Sequence, residues 1–253
     1  MTGALSDVLP AGPVRAVIID LDGTMVDTAG DFHAAINAML EALGIASGRP
    51  DMSIDEVVSY VGKGSENLVR RVLDARLPPA QANSRFAEAL DAYQRAYIAI
   101  NGQYVNVYDG VREGLAALRD MGLALACVTN KPHDFTQPLL AQLGLADYFD
   151  LVYPGDAFPY RKPDPYPMLR VAEAFGVTPE EIVAIGDSEN DARAARAAGM
   201  RVLAVPYGYN HGQPIQHAGA DAIVDTLFAA AQLIQPNVRT SAEPHNTISA
   251  ASN

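Results

Sequence analysis

The 253-residue sequence predicts an α/β protein in which a doubly wound parallel sheet carries a small inserted helical cap domain. Three observations support this fold class: short apolar runs typical of buried strands, helical patterns that alternate with those runs, and one long stretch that contains helical patterns alone. Alternation at this spacing indicates right-handed crossovers and parallel strands. Because ligands of such sheets bind at the carboxyl ends of the strands, the residues at those ends are the candidates for a functional site.

The strands are predicted from near-continuous runs of Val, Ile, Leu and Ala, which are typical of strands covered on both faces. The clearest runs are residues 14–20, 123–129, 182–187 and 201–206, and weaker ones are 150–153 and 222–225. Helical patterns lie between them at 111–121, 133–143, 165–175 and 190–198. Glycines at 122, 144, 176 and 199 mark where these helices end.

The cap is predicted from the stretch between the first and second strong strands. It shows helical patterns only, at residues 31–43, 54–60, 65–75 and 79–100. We therefore predict a Rossmann-like core of residues 1–27 and 105–235 and a helical cap domain of residues 28–104. Residues 236–253 are polar and without pattern, and we expect them to be disordered.

Composition limits the classes of partner. The formal net charge is −12 and Lys and Arg form no run, which argues against nucleic acid and acidic membranes as partners. An anionic substrate would have to be attracted locally, by a bound cation, a few lysines or helix N-termini. With one cysteine, Cys127, no disulfide can form within the chain. Neither a secretory signal nor a membrane-length apolar run is evident, so we expect a cytoplasmic protein, monomer or homodimer.

Four short segments lie at predicted strand ends or in the loops that follow them. They are DLDGT at 20–24, Thr129 with Asn130, Lys162 with Pro163, and GDSENDA at 186–192. Each has an ordinary explanation when taken alone: a turn, a common strand-end residue, a surface lysine and a helix N-cap. Together, and in this order, they predict one acidic crevice with a hydroxyl group and an ammonium group.

The four segments resemble the four motifs of the haloacid dehalogenase superfamily of phosphohydrolases, and the helical insert resembles the first cap type of that superfamily. The resemblance covers about residues 14–230. It implies that Asp20 attacks phosphorus and becomes an aspartyl-phosphate. Asp22 would protonate the leaving oxygen and later take a proton from water. Because an alkyl halide needs no such proton, Asp22 favours a phosphate ester over a haloacid as substrate.

The same resemblance implies the remaining ligands. Thr129 and Lys162 would bind the phosphate oxygens of a small anionic phosphate ester, and Asn130 would also be a substrate-binding residue. Mg²⁺ would be held by Asp20, Asp187 and the main-chain carbonyl of Asp22, with Asp191 as an orienting neighbour. Catalysis of phosphoryl transfer rests on this kind of positioning and charge stabilisation.

The cap carries a Gly-Lys-Gly segment at 62–64 that opens a predicted helix. Lys63, Gly64 and the helix N-terminus are predicted to bind a second anionic group such as a carboxylate; the alternative is an exposed turn with a solvated lysine. Residues 60–71 and 207–210 resemble bacterial phosphoglycolate phosphatases, which implies hydrolysis of 2-phosphoglycolate to glycolate and phosphate. Gly30 stands where those proteins usually have Pro, and we expect a looser cap hinge.

Other functions remain open at this point. A capped phosphatase of broader or sugar-phosphate specificity, or a phosphosugar mutase, would use the same core residues. A non-enzymatic phosphoacceptor module also groups acids, Thr and Lys at the end of a parallel sheet. Such modules are shorter and lack a helical insert, and Asp22 with the complete acidic cluster favours an enzyme.

Overall fold

The structure is a computed structural model that describes residues 13–45 and 51–234. Its strands are β1 (Ala16–Ile19), β2 (Val26–Asp27), β3 (Asn106–Val107), β4 (Ala124–Val128), β5 (Leu151–Tyr153), β6 (Ile182–Gly186), β7 (Arg201–Ala204) and β8 (Ala222–Ile223). Six of them form one sheet in the order β5-β4-β1-β6-β7-β8, and every neighbouring pair is parallel. The predicted parallel sheet is confirmed.

The first strand, β1, lies in the middle of the sheet. All of its residues are buried, because helices cover both faces, and Ile19 pairs with Cys127 on one side and Ile185 on the other. The chain runs outward from β1 through β4 to β5 and then returns to β6 on the opposite side of β1. This reversal opens a crevice at the carboxyl end of β1, where a doubly wound sheet binds its ligand.

The helices are α1 (Ala29–Ala42), α2 (Ile54–Val58), α3 (Ser65–Arg76), α4 (Pro79–Ile100), α5 (Val111–Asp120), α6 (His133–Gln142), α7 (Tyr166–Phe175), α8 (Glu189–Ala197) and α9 (Leu227–Ile234). Eight of these correspond to predicted helices and differ from them by two residues or fewer at either end. The helix α9 was not predicted, because its sequence LFAAAQLI is short and has no polar residue periodicity.

The four helices α1 to α4 form the inserted cap. Their buried side chains make a hydrophobic cluster of their own, which includes Met39, Val69 and Tyr93. The cap joins the core through β2 and β3, which pair antiparallel as a two-stranded ribbon. Sequence patterns did not predict this ribbon, because two residues per strand are too few to show alternation.

The junction is packed closely at Gly30. A Cβ there would lie 2.5 Å from the carbonyl oxygen of Tyr104, so a side chain has no room. The buried carboxylate of Asp31 accepts hydrogen bonds from the backbone N–H groups of Gly102 at 2.6 Å and Tyr104 at 2.8 Å. The glycine therefore permits a close approach of the two connecting segments, and the looser hinge expected at Gly30 stays a prediction.

The tail predicted to be disordered, residues 236–253, lies outside the described residues, as do residues 1–12 and 235 of the predicted core and residues 46–50 of the predicted cap. Within the described part of the chain, no helix has the length and apolarity needed to cross a membrane. Cys127 is buried in β4, where burial raises the pKa of its thiol, as expected for an inert cysteine.

Candidate active site

Asp20 and Asp22 stand at the carboxyl end of the central strand. The backbone N–H of Asp20 donates to the carbonyl of Ile185 at 3.0 Å, which continues the pairing of β1 with β6. Gly23 then turns the chain with a φ of 84°, and its N–H donates to the carbonyl of Val26 at 2.9 Å. The turn leaves Asp20 buried and Asp22 half-buried, both on the wall of one pocket between core and cap.

Lys162 places a buried ammonium between the carboxylates. Its Nζ lies 2.8 Å from Oδ1 of Asp20, and it donates to Oδ1 of Asp191 at 2.6 Å and to the carbonyl of Val128 at 2.7 Å. Burial works against the charged amine, but Asp191 and Asp20 outweigh burial and raise the pKa of Lys162 above its ordinary value. Lys162 therefore stays charged.

Asp187 follows β6 and is held rigidly. The Thr24 hydroxyl donates to Oδ1 at 3.2 Å, and the Tyr209 N–H donates to Oδ2 at 2.6 Å. Two glycines make room for the carboxylate, because a Cβ on Gly23 would lie 2.4 Å from Oδ2 and one on Gly208 would lie 2.3 Å from it. The geometry fixes where this carboxylate points.

Asp191 lies in the first turn of α8. Its Oδ2 accepts from the N–H of Ser188 at 3.2 Å and from the Ser188 hydroxyl at 2.7 Å. The Ser188 side chain in turn accepts from the Asp191 N–H, which completes a capping box. Its Oδ1 binds Lys162. Since both oxygens are engaged, the contacts suit the predicted orienting role better than direct ligation.

These residues fit a divalent cation. Asp20, Asp187 and Asp191 each offer a carboxylate oxygen, and the three oxygens lie within 4.8 Å of one another. Three carboxylates beside the single ammonium of Lys162 leave two formal negative charges. An all-oxygen donor set of this charge suits a hard cation such as Mg²⁺. Asp20, Asp187 and the main-chain carbonyl of Asp22 are the groups we expect to hold it.

The pKa values reflect the same excess of negative charge. Burial raises the pKa of Asp20 to about 7; Lys162 opposes this rise, and Asp191 adds to it. Burial also raises the pKa of Asp187 well above its ordinary value, and the charges of Asp191 and Asp20 add to the effect. A bound cation would lower these raised pKa values, because its positive charge favours the ionised carboxylates.

Thr129 and Asn130 follow β4 and line the same pocket. The Thr129 oxygen accepts from the N–H of Lys131 at 3.2 Å, which leaves the hydroxyl hydrogen available to a phosphate oxygen. The Asn130 amide instead donates to the carbonyls of Gly62 at 2.9 Å and Lys162 at 2.8 Å. In this arrangement Asn130 links the cap loop to the backbone of Lys162, and its predicted contact with substrate stays a prediction.

The cap loop does not bring Lys63 into the pocket. Gly62, Gly64 and Ser65 line the pocket, whereas the Lys63 side chain is exposed and borders a separate cavity beside Arg71. The backbone thus faces the site and the ammonium faces outward. Gly64 lines the pocket at the N-cap of α3, and its predicted role in binding an anion stays a prediction. The predicted binding role of Lys63 has no contact to support it here.

Lys131 is a pocket residue that sequence reasoning missed. It follows Asn130, is 4% exposed, and its Nζ donates to Oδ1 of Asp22 at 3.0 Å and to the hydroxyl of Tyr97 at 2.5 Å. Oδ1 of Asp22 also accepts from the Thr28 hydroxyl at 2.8 Å. An Asn-Lys-Pro segment gives no local sign of burial, since the residues that enclose Lys131 come from the cap.

Residues from core and cap meet at the carbonyls of Val61 and Gly62. His211 Nδ1 lies 2.7 Å from the carbonyl oxygen of Val61, and Asn190 donates to the carbonyl of Gly62 at 3.0 Å. Asn190 Nδ2 also lies 3.0 Å from His211 Nε2. An Nδ1–H tautomer of His211 satisfies every one of these contacts. Polar side chains of the core therefore contact the backbone carbonyls of the cap loop that lines the pocket.

Replacement of Gly62 by Ala tests this docking. A Cβ at Gly62 would lie 2.5 Å from Cε1 of His211, so we expect the cap loop to move away and kcat/KM to fall by about tenfold or more. Gly122→Ala is the matched control, because Gly122 also has positive φ but no atom lies within 4 Å of its added Cβ. Both variants should lose about 1 kcal/mol of stability to backbone strain. Equal activity losses would contradict the docking role.

Comparisons with known proteins agree with this geometry. Residues 14–199 match the family model described as haloacid dehalogenase-like hydrolase. The chain is 46% identical to a phosphoglycolate phosphatase of Thiobacillus denitrificans over 88% of this chain and 96% of that protein.

Solved structures of phosphatases and related proteins are also similar to this chain in sequence and fold. A predicted phosphoglycolate phosphatase from Haemophilus somnus is 31% identical, with a TM-score of 0.80 over 87% of this chain and 97% of that one. CbbY from Rhodobacter sphaeroides, solved in complex with phosphate, is 25% identical, with a TM-score of 0.69 over 85% of this chain and 95% of that one. With the family model matching more than half of its length, the chain belongs to the haloacid dehalogenase-like hydrolases.

Proposed function

We propose that this protein is a phosphatase that hydrolyses 2-phosphoglycolate to glycolate and inorganic phosphate, with Asp20 as nucleophile. The observation that carries the chemistry is the placement of buried Asp20 at the end of β1, with the Lys162 ammonium 2.8 Å from its Oδ1 and Asp22 two residues away. The substrate is supported by relatives named phosphoglycolate phosphatase, one of which is 46% identical over nearly its whole length.

In the first step, a carboxylate oxygen of Asp20 attacks phosphorus and the ester P–O bond breaks. The leaving oxygen takes a proton from the carboxyl group of Asp22, so glycolate departs as an alcohol. The hydroxyl of Thr129 and the ammonium of Lys162 bind the phosphate oxygens and stabilise the charge that spreads over them. Lys162 also reduces the repulsion between Asp20 and the dianionic phosphate.

In the second step, water attacks phosphorus in the aspartyl-phosphate and the bond to Asp20 breaks. Asp22, now ionised, takes the proton from that water, so one residue serves as acid and then as base. Phosphate leaves, and both carboxylates return to their starting forms. The cap loop at Gly62 and Gly64 covers the pocket and limits the access of other waters.

A Mg²⁺ ion held by Asp20, Asp187 and the Asp22 carbonyl would supply positive charge that offsets the charge of the transferring phosphoryl group. The three carboxylates beside one lysine support a divalent cation at this place. Asp191 keeps Lys162 in position from the side of α8. The cytoplasmic location and the monomeric or homodimeric state expected from the sequence stay predictions.

A panel of phosphate esters tests the proposal by release of inorganic phosphate. With Mg²⁺ present, we expect kcat/KM for 2-phosphoglycolate to exceed that for glucose 1-phosphate, ribose 5-phosphate and p-nitrophenyl phosphate by more than about tenfold, or 1.4 kcal/mol. Removal of divalent cations with EDTA should lower kcat by about 10³-fold or more, and added Mg²⁺ should restore it.

Each contrary outcome contradicts a different part of the proposal. A preference below about tenfold would leave a phosphatase of broad specificity. Conversion of glucose 1-phosphate to another hexose phosphate, with little free phosphate, would show a mutase. No phosphate release from any ester would favour a phosphoacceptor module. Full activity in EDTA would contradict the divalent cation.

A further inference from the structure

The sequence holds three lysines, and two of them, Lys131 and Lys162, line the pocket. The ammonium of Lys131 lies 4.8 Å from the ring centroid of Phe32 and 4.6 Å from that of Tyr97, besides its bonds to the Tyr97 hydroxyl and to Asp22. The aromatic rings stabilise a cation, but a lysine removed from water also requires an anion nearby. Asp22 supplies that anion.

The ion pair with Lys131 engages a residue that the reaction requires. Asp22 must reach the leaving oxygen of the ester, yet its Oδ1 is bound both by Lys131 at 3.0 Å and by the Thr28 hydroxyl at 2.8 Å. Two donors on one oxygen fix the orientation of the side chain. A second anion beside Lys131 would compete for the ammonium and so weaken its hold on Asp22.

The other two lysines are poorly placed to bind a second anionic group of the substrate. Lys162 is already enclosed by Asp20, Asp191 and a backbone carbonyl, and it serves the phosphate. Lys63 is exposed outside the pocket. Lys131 follows Thr129 by two residues, so their Cα atoms lie at most about 7 Å apart, and a group bound to Lys131 belongs to a short molecule.

We propose that Lys131 binds the carboxylate of the substrate and, by exchanging Asp22 for that carboxylate, releases Asp22 to act on the leaving oxygen. This inference rests on the proposed function and adds a residue to it. The exchange moves one ion pair, and the released Asp22 carboxylate takes up a proton from solvent water, which is the proton that it then donates to the leaving oxygen. A phosphate ester without a second anion leaves Asp22 bound to Lys131, so selectivity arises in kcat as well as in KM.

Two esters of the same chain length isolate the carboxylate: 2-phosphoglycolate and 2-hydroxyethyl phosphate, in which a hydroxymethyl group replaces it. Wild-type protein should prefer 2-phosphoglycolate. In Lys131→Met, the ratio of kcat/KM for 2-phosphoglycolate to kcat/KM for 2-hydroxyethyl phosphate should fall by about 100-fold, because one charge-assisted contact is lost with only the first ester. The loss should divide between a higher KM and a lower kcat. Lys131→Arg should restore part of the preference.

Lys63→Met is the matched comparison, since it also removes one lysine, but one that is exposed outside the pocket. We expect the preference between the two esters to stay within about twofold in this variant, because Lys63 makes no contact in the pocket. A loss of preference in Lys63→Met, with Lys131→Met unaffected, would overturn the inference and support the cap lysine instead.

Stability is a separate concern, because Lys131 is buried. Tyr97→Phe keeps the ammonium and the ring and removes one hydroxyl, so it should fold and reduce the preference by about threefold to tenfold. If Lys131→Met fails to fold, an unchanged preference in Tyr97→Phe overturns the inference. Equal losses on both esters in Lys131→Met also overturn it. Wild-type protein that hydrolyses neither ester would contradict the proposed function itself.

Discussion

Asp20→Asn should abolish turnover, with kcat for 2-phosphoglycolate reduced by at least about 10⁴-fold. An amide has nearly the shape of a carboxylate but lacks its nucleophilic charge, so phosphorus meets no attacking group. Rapid quenching of the wild-type reaction with ³²P-labelled substrate should give labelled protein, and peptide mapping should place the label on Asp20. The variant should carry no label. Label at another residue, or turnover near the wild-type rate, would contradict the mechanism.

Asp91→Asn is the control for this change, because Asp91 is an exposed carboxylate paired with Arg95 on a cap helix. Its activity should match that of wild type.

The pH dependence of stability gives Asp20→Asn a second readout. Burial raises the pKa of Asp20 to about 7, against about 4 in an unfolded chain. Between about pH 4 and pH 7, Asp20 is therefore protonated in the folded protein but ionised in the unfolded chain. The free energy of unfolding contributed by this residue falls as pH rises through that range. In EDTA, the variant should be more stable than wild type at pH 8, and the difference should shrink toward pH 4. Urea unfolding at both pH values measures this.

The core of the site was predictable because one topological rule places it. Asp20, Thr129 and Asp187 each follow a buried strand, and parallel strands present their carboxyl ends at one edge of the sheet. Continuous apolar runs mark those strands clearly in the sequence. Knowing the strand ends was therefore enough to expect these side chains in one crevice, without any knowledge of the distances between them.

The contributions of the cap were harder to predict, because they depend on contacts between distant segments. Lys131 is enclosed by Phe32 and Tyr97, which are far away in sequence. The direction of Lys63 depends on its neighbouring glycines: Gly62 packs against His211 and Gly64 against Arg161, so the backbone lies toward the core. The pattern Gly-Lys-Gly indicates a loop that approaches something closely, but it does not say which side of the loop faces the ligand.

Lys162→Met should cause the second large loss, and it should affect stability as well as activity. Lys162 supplies the positive charge beside Asp20 and Asp191, and all three side chains are buried. Without the ammonium, the buried carboxylates repel one another, and Asp191 loses a hydrogen bond. We expect the free energy of unfolding in EDTA to fall by about 3–5 kcal/mol and kcat to fall by about 10³-fold or more.

A divalent cation should offset part of the lost stability, since the Lys162→Met site carries three formal negative charges and the wild-type site carries two. We therefore expect Mg²⁺ to raise the Tm of the variant more than that of wild type, while activity stays low because the phosphate has lost its ammonium. Lys63→Met is the control for removal of one lysine, and its exposed position predicts no change in Tm.

If Lys162→Met proved as stable in EDTA as wild type, the raised pKa values of Asp20 and Asp187 would already leave the cluster largely protonated at the pH of the measurement. In that case the unfolding is repeated at higher pH, where those carboxylates ionise. If Lys162→Met is still as stable as wild type there, the charge argument is contradicted.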